Sequence, residues 1–300
     1  MNIEVIKMEI RVLRYFLAIA REENMTRAAK YLHVTQPTLS KQIKQLEEEI
    51  GKKLFIRSNY SIKLTDEGLL LRKRAEDILS MVDKTMEEFQ ALDDITGGDI
   101  YIGAAESESF SYFATVAKDL QLQYPNVKFH LYSGNTEVIA ERLDRGLLDF
   151  AIIVQEVDLS KYNYIKIPTS DTWGVIMRKD SPLAKKEYIT IEDLIDLPLI
   201  VSRQGITEDY PKLFKEKLDQ LHIVATFDLI YNASVMVKEG FGYALSFDKI
   251  VDTSENSELC FRVLKPELKT NMYIIWKKYQ VFTPIAEKLL SKMQQHFNDR

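Results

Sequence analysis

The stretch MTRAAKYLHVTQPTLSKQIKQL, residues 25–46, decides the fold of the N-terminal region, because it predicts two short helices joined by a tight turn. Thr26 is a suitable N-cap for the first helix, which is expected to end near His33. Pro37 lies in the first turn of the second helix, where its missing N–H costs nothing. Apolar residues then recur at helical spacing, at Leu39, Ile43, Leu46 and Ile50. The pattern predicts a helix-turn-helix.

The opposite face of the second helix carries side chains that can hydrogen-bond to DNA. They are Gln36, Thr38, Ser40, Lys41, Lys44 and Gln45. Such residues donate to phosphates and base edges, and a recognition helix reads the major groove with its N-terminal residues. A solvated amphipathic helix of a helical bundle is the alternative that this stretch alone leaves open.

The flanking segments complete a small domain. An amphipathic pattern from Leu13 to Ala20 predicts a preceding helix, and it begins only after Met8, so Met1 and Met8 are both candidate native starts. Gly51 predicts the C-cap of the second helix. Residues 53–64, KLFIRSNYSIKL, hold two strand-like runs and predict a β-wing. Its cations, Arg57 and Lys63, would face the DNA backbone, although a surface hairpin with two incidental cations fits equally well.

Residues 65–94 predict one long helix that pairs with a second copy of the chain. The segment begins with an N-cap, Thr65, and contains no proline. At about 1.5 Å per residue it spans roughly 45 Å, more than the domain before it can cover. Packing along the C-terminal domain is the alternative. Steps of four and three trace an apolar stripe at Leu71, Ala75, Ile78, Val82, Thr85, Phe89 and Leu92. The predicted dimer contacts are Leu71, Ala75, Ile78, Val82 and Phe89.

A second architecture follows the glycines of Ile95-Thr96-Gly97-Gly98-Asp99, which mark a domain boundary. Strand-like and helical segments alternate over residues 100–154 and again over residues 173–247. A further strand and a final amphipathic helix close the chain. This alternation predicts a two-lobed α/β domain with a mostly parallel sheet, whose ligands lie beyond the carboxyl ends of the strands.

Three loops at predicted strand ends are candidates for a small-molecule site. They are Glu106-Ser107, Ser133-Gly134-Asn135 and Ser202-Arg203-Gln204. Arg203 and a helix N-terminus favour an anionic group, whereas Glu106 and Glu108 favour an amine or a hydroxyl. We therefore expect a polar effector of mixed polarity. The alternative for each residue is routine capping of helices and shaping of turns, which serine, asparagine and glycine commonly do.

Composition and charge limit the classes of function. The chain is 46% hydrophobic and 28% charged, as in soluble globular proteins. It lacks a signal-peptide pattern and a long apolar run, so we expect a cytoplasmic protein with no membrane partner. Residues 1–64 carry a net charge of +5 and the remainder −10, so only the N-terminal region is expected to bind a polyanion.

Catalytic and metal-binding patterns are missing from the sequence. Cys260 is the single cysteine, which excludes an intrachain disulfide. The four histidines are scattered, with no acid or second ligand at metal or triad spacing. We therefore expect no cofactor, no metal and no enzymatic activity.

From Met8 to about residue 295 the sequence resembles the LysR-type transcriptional regulators. AAKYLHVTQPTLSKQIKQLEEEIGKKLF, residues 28–55, is similar to the family signature nearly position for position. GLLDFAII, MRKDSPLA and DLPLIVSRQ are similar to recurring family phrases. The resemblance implies a winged helix-turn-helix, dimerisation through the linker helix, often as a dimer of dimers, and a periplasmic-binding-protein-like (type 2) domain that encloses a small effector.

The family pattern also implies individual contacts. Gln36, Pro37, Ser40 and Lys41 would contact DNA from the recognition helix, and Arg57 from the wing. Many relatives carry a second basic residue in the wing where this sequence has Asn59-Tyr60, so the wing is expected to bind DNA more weakly there. The full set of predicted DNA contacts is Thr26, Arg27, Gln36, Pro37, Thr38, Ser40, Lys41, Lys44 and Arg57.

Together these observations predict an α/β multidomain regulator of transcription. The expected domains are a winged helix-turn-helix (residues 8–65), a linker helix (66–94) and an effector domain (95–300). Lobe 1 of the effector domain would comprise residues 100–167 and 270–300, and lobe 2 residues 168–269. The expected partners are double-stranded operator DNA, further copies of the chain as a dimer or tetramer, a small effector and RNA polymerase. The alternative is a cytoplasmic small-molecule-binding or enzymatic α/β protein with an unrelated helical N-terminus.

Overall fold

The computed structural model describes residues 8–57, 62–91, 96–154, 159–208, 210 and 214–298. The chain divides into two compact units, residues 1–89 and 90–300. Three parts of the sequence discussed above lie outside the described residues: the candidate start Met1, the wing residues Asn59-Tyr60, and Leu92 of the apolar stripe.

The N-terminal unit consists of three short helices, a two-stranded hairpin and one long helix. Its elements are α1 (Ile10–Glu22), α2 (Met25–Tyr31), α3 (Gln36–Ile50), β1 (Phe55–Arg57), β2 (Ile62–Leu64) and α4 (Asp66–Ala91). The antiparallel pairing of β1 with β2 places Phe55 opposite Leu64. This arrangement confirms the predicted helix-turn-helix followed by paired wing strands.

The ends of the two helix-turn-helix segments follow from capping chemistry. Asn24 caps α2, because its side-chain oxygen accepts hydrogen bonds from the backbone N–H groups of Thr26 and Arg27. The prediction of Thr26 as the N-cap is therefore wrong by two residues. Gly51 ends α3 with a φ of 71°, a left-handed conformation that glycine adopts without strain, as predicted.

The core of the N-terminal unit includes part of the long helix. Phe16, Leu39 and Ile43 are fully buried between the three short helices. Ala75 of α4 is also fully buried in this core, and Leu71 packs against it. Ala75 therefore corrects the predicted dimer stripe, because three short helices leave an apolar surface that α4 covers. Leu71 is only partly buried and stays a predicted dimer contact. Further along α4, Ile78 is 38% exposed and Phe89 66% exposed, while Val82 is half-buried.

The second unit alternates strands and helices. Its elements are β3 (Gly97–Ala104), α5 (Phe110–Gln123), β4 (Asn126–Ser133), α6 (Thr136–Asp144), β5 (Phe150–Val154), β6 (Tyr162–Arg178), β7 (Tyr188–Thr190), β8 (Leu199–Ser202), α7 (Arg203–Glu208), β9 (Ile223–Phe227), α8 (Ile230–Lys238), β10 (Tyr243–Phe247), β11 (Leu259–Lys265), β12 (Lys269–Lys277) and α9 (Pro284–Asn298). Helical structure begins earlier than the predicted helix from about Glu208 to Leu221, because α7 already starts at Arg203. Within the predicted span, Tyr210 and Phe214 are helical and Lys215–Gln220 forms a 3-10 segment.

One mixed sheet runs through this unit, in the order β4-β3-β5-β12-β6-β10-β8-β9, with β11 pairing with β6 and β7. The outer strands are parallel, but β12 and β6 are antiparallel to each other and to their other neighbours β5, β10 and β11. The expectation of a mostly parallel sheet is therefore wrong at its centre. The 17-residue strand β6 pairs with β12 through its first part and with β10 and β11 through its last, so it joins the two halves.

We call the half built on β3, β4 and β5 lobe 1, and the half built on β8, β9 and β10 lobe 2. The carboxyl ends of β3 and β8 face the space between them, and this space contains the cavity described below. Among the described residues, no helix is long and apolar enough to cross a membrane.

Candidate DNA-reading surface and effector cleft

Helix α3 presents a polar face on a rigid apolar base. Leu39 and Ile43 are fully buried and Leu46 nearly so, which fixes the rotation of the helix about its axis. The predicted contacts on the opposite face lie at the surface: Gln36, Pro37, Thr38, Lys41 and Lys44 are exposed and Ser40 is half-buried. This combination of a fixed base and hydrogen-bonding side chains is the arrangement by which a helix reads a major groove.

Some predicted contacts already have partners within the chain. The Thr38 hydroxyl lies 2.8 Å from the hydroxyl of Thr35, the residue that caps α3. The guanidinium of Arg27 donates to the carbonyl oxygen of Glu22. Thr26 and Arg27 are both exposed on α2, and Arg57 ends β1. Lys44 pairs at the surface with Glu48 at 3.4 Å, an interaction weak enough to exchange for a phosphate.

Glu47 is an important residue that the sequence reading did not identify. It lies on α3, is only 4% exposed, and its Oε1 accepts the backbone N–H groups of Leu54 at 2.9 Å and Phe55 at 3.3 Å. Its Oε2 accepts from the Lys53 ammonium at 3.0 Å. Burial alone would raise the pKa of Glu47, but these hydrogen bonds and the Lys53 charge together lower it. Glu47 therefore anchors the first wing strand to the recognition helix.

A cavity of about 60 Å³ lies between the lobes of the second unit. Five of the predicted effector residues line it: Glu106, Gly134, Asn135, Ser202 and Gln204. Residues that the sequence reading did not assign also line it: Trp173, Phe227, Asp228, Ser246 and Phe247. The strand pattern had identified several of these as strand residues, but alternation alone cannot tell which face of a strand meets a cleft.

Three predicted effector residues do not line this cavity. Ser107 donates from its hydroxyl to Asp171 Oδ2 at 2.6 Å, and Ser133 is exposed at the end of the edge strand β4. Arg203 is 70% exposed, and its Nε lies 3.9 Å from Asp228 Oδ1. Because α7 begins at Arg203, successive side chains point in different directions, and Gln204 rather than Arg203 faces the cavity.

Hydrogen bonds cross the cleft and join the lobes. Glu106 Oε2, in lobe 1, accepts the backbone N–H of Ile230 at the start of α8 at 2.7 Å. Gln204 Oε1, in lobe 2, accepts the N–H of Thr136 at the start of α6 at 3.0 Å. Each lobe thus supplies a side-chain oxygen to a helix N-terminus of the other, where unsatisfied N–H groups and the helix dipole favour it.

Asp171 of β6 holds the loop that carries Glu106. It is 6% exposed and accepts from the hydroxyls of Ser107 at 2.6 Å and Ser109 at 3.0 Å. Burial raises the pKa of Asp171, although these hydrogen bonds oppose the shift. The hydrogen bonds fix the position of the loop.

The chemistry of the described residues offers little for catalysis by metals or thiols. Within the described ranges, no group of three or more His, Cys, Asp or Glu residues could hold a metal ion. Cys260 is 6% exposed on β11, and burial raises the pKa of its thiol. Such a thiol behaves as a small apolar side chain.

Two family models match the sequence. The model described as "LysR substrate binding domain" matches residues 95–298, and the model described as "Bacterial regulatory helix-turn-helix protein, lysR family" matches residues 10–69. Together they cover both structural units.

Known regulators are similar along most of the chain. The HTH-type transcriptional regulator AlsR of Bacillus subtilis (strain 168) is 32% identical over 209 residues, covering 70% of this chain and 68% of that protein. The HTH-type transcriptional regulator BudR of Raoultella terrigena is 27% identical over 281 residues, covering 91% and 96%. A crystal structure of full-length CbnR complexed with its target DNA has a TM-score of 0.72 at 20% identity, covering 97% and 99%, which shows a shared fold.

Proposed function

This chain belongs to the LysR family of transcriptional regulators, and on that premise we propose that it binds operator DNA as a homo-oligomer and alters transcription when a small molecule occupies the cleft. It is a regulator with an N-terminal DNA-binding helix-turn-helix and a C-terminal effector-binding domain. We further propose that it acts in the cytoplasm, contacts RNA polymerase and performs no catalysis, which is consistent with the regulators that it resembles.

The polar face of α3 is the single observation that carries the proposal. Gln36 is exposed and Ser40 half-buried at the N-terminal end of the helix, and we assign both to base edges. Lys44 lies about one turn after Ser40 and its side chain is 70% exposed, so we assign it to a phosphate. The proposed domains keep their predicted bounds of residues 8–65, 66–94 and 95–300.

The proposed oligomer forms through the part of α4 that the N-terminal core leaves uncovered. Ile78, Met86 and Phe89 lie at helical spacing and are 38%, 57% and 66% exposed. A stripe of this kind is unfavourable in water and is buried when two helices pair. Val82 between them is half-buried and completes the proposed contact surface.

The DNA-binding assignment can be tested by separating specific from non-specific binding. An operator would first be selected from random duplexes with the full-length protein. Gln36→Ala and Ser40→Ala should weaken operator binding by about 1–3 kcal/mol per contact and relax base preference, while binding to unrelated duplex stays unchanged. Lys44→Ala should weaken binding to all duplexes and reduce the salt dependence, because one fewer phosphate is neutralised in each protomer.

Glu49→Ala is the matched control, since Glu49 is exposed near the far end of the same helix. It should leave specificity unchanged. Operator affinity and base preference that survive both Gln36→Ala and Ser40→Ala would show that α3 does not read the bases.

A further inference from the structure

We propose that the cleft selects a small cationic amine with a short apolar body, and that Glu106 is the residue that sets this selectivity. The inference rests on the proposed function, because it names the class of effector for that same cleft. Three observations carry it: the charges that line the cavity, the occupied helix N-termini, and the aromatic wall.

The charged side chains that line the cavity are carboxylates. Glu106 and Asp228 both lie in the lining, and no lysine, arginine or histidine is among the described lining residues. Arg203 does not line the cavity, and its side chain lies 3.9 Å from Asp228; the two side chains are 70% and 48% exposed, so solvent screens both charges and Glu106 is the main source of negative charge in the lining. A ligand in the cavity therefore meets negative charge, which attracts an ammonium and repels a carboxylate.

The helix N-termini that would attract an anion are already occupied. At α8, the Ile230 N–H donates to Glu106 at 2.7 Å. At α6, the Thr136 N–H donates to Gln204 at 3.0 Å and the Val138 N–H donates to Asn135 Oδ1 at 3.0 Å. An anionic ligand would have to displace these side chains and leave a carboxylate beside it, whereas an ammonium can bind the oxygens as they stand.

The rest of the cavity suits an apolar body. Trp173 and Phe247 are 3% and 7% exposed, and their rings meet edge to face with centroids 4.4 Å apart. Phe227 and Leu245 extend this wall. Aromatic faces also attract ammonium groups. The volume of about 60 Å³ restricts the body to a few carbon atoms unless the lobes separate further.

The test uses full-length protein and simple probes. n-Propylamine and n-butylamine would be compared with the carboxylates of the same carbon skeletons by thermal shift and isothermal titration calorimetry. The amines should raise the unfolding temperature of the effector unit and bind at least tenfold more tightly than the matching carboxylates.

Glu106→Gln isolates the charge. Glutamine retains an oxygen that can accept the Ile230 N–H, so the cross-cleft hydrogen bond and the fold should persist, whereas amine affinity should fall about tenfold or more. Glu108→Gln is the matched control, because Glu108 is exposed two residues further along the same loop and does not line the cavity. It should bind amines as the wild type does.

Three results would overturn the inference: carboxylates that bind more tightly than amines, amine affinity that Glu106→Gln leaves unchanged, or no stabilisation by any amine. Operator binding measured on the same preparations separates these outcomes from failure of the proposed function. A protein that binds its operator but ignores the amines would remain a regulator with a different class of effector.

Discussion

Replacing Glu47 by alanine should detach the first wing strand from the recognition helix. The Glu47 carboxylate is 4% exposed and accepts the backbone N–H groups of Leu54 and Phe55, together with the Lys53 ammonium. Alanine removes all three acceptor contacts and leaves two N–H donors at buried positions. The wing strand β1 begins at Phe55, so the lost contacts lie directly at its start.

The magnitude follows from the hydrogen bonds that are lost. A buried donor left without a partner costs about 1–3 kcal/mol, and a hydrogen bond to a charged group contributes about 1.5–3 kcal/mol. We therefore expect Glu47→Ala to lower the free energy of unfolding of the N-terminal unit by roughly 2–5 kcal/mol. Glu47→Gln retains an oxygen acceptor but loses the charge, and it should cost about 1–3 kcal/mol.

The assay is urea denaturation of the full-length protein, combined with hydrogen exchange at the amides of Leu54 and Phe55. Both amides should exchange faster in Glu47→Ala, and operator affinity should fall because β1 loses its anchor to the recognition helix. Glu49→Ala is the control, since that exposed neighbour accepts no hydrogen bond from the wing among the described contacts. An unfolding free energy within about 0.5 kcal/mol of wild type, with unchanged exchange, would refute the anchoring role.

The pH dependence provides an independent check. The pKa of Glu47 is lowered below its ordinary value of 4.5, so its charged form stabilises the folded state. That stabilisation is fully present above pH 4.5 and is lost as the pH falls through the lower pKa of the folded protein. The stability difference between wild type and Glu47→Gln should therefore be constant near neutral pH and shrink below pH 4.5. A difference that stays constant into that acidic range would contradict the assigned hydrogen bonds.

Three further predictions concern assembly, strand packing and the buried carboxylate. Ile78→Asp combined with Phe89→Asp should give monomers in sedimentation, because unpaired charge is costly in an apolar interface. The control Ile78→Leu should retain the oligomer. An oligomer that survives both aspartates would exclude α4 as the interface. Gly174→Ala should destabilise the effector unit by roughly 1–3 kcal/mol in urea denaturation, because the new Cβ would lie 2.5 Å from the Arg262 carbonyl oxygen; full stability would contradict the β6–β11 packing. Because burial raises the pKa of Asp171 above 3.8, wild type should lose stability relative to Asp171→Asn as the pH rises from 3.8 through the folded pKa, and a pH-independent difference would contradict that burial.

The effector cleft illustrates what sequence reasoning could reach and where it stopped. The rule that ligands lie beyond strand ends selected loops that carry Glu106, Asn135 and Gln204, and all three residues line the cavity. It could not tell whether Gln204 or Arg203 faces the cavity, because successive side chains on a helix point in different directions. Asp228 had no signal of its own, since an aspartate after a strand is common in turns.

The long helix shows the same limit for packing. Its apolar stripe was visible in the sequence, but periodicity does not distinguish a stripe that packs on its own unit from one that meets a second copy. The structure buries Ala75 in the helix-turn-helix core and leaves Phe89 66% exposed. The two residues belong to one sequence pattern, yet they have different neighbours.

By itself the sequence determined the helix-turn-helix, the existence of a long linker helix and the α/β class of the second unit. These features depend on residue spacing within one or two turns, on proline and on glycine, so they are encoded locally. Only the tertiary structure decided that Glu47 anchors the wing and that Glu106, Trp173, Gln204 and Asp228 meet at one cavity. The four cavity residues are far apart in the chain, and their convergence depends on how β6 passes from one lobe to the other, which no local pattern specifies.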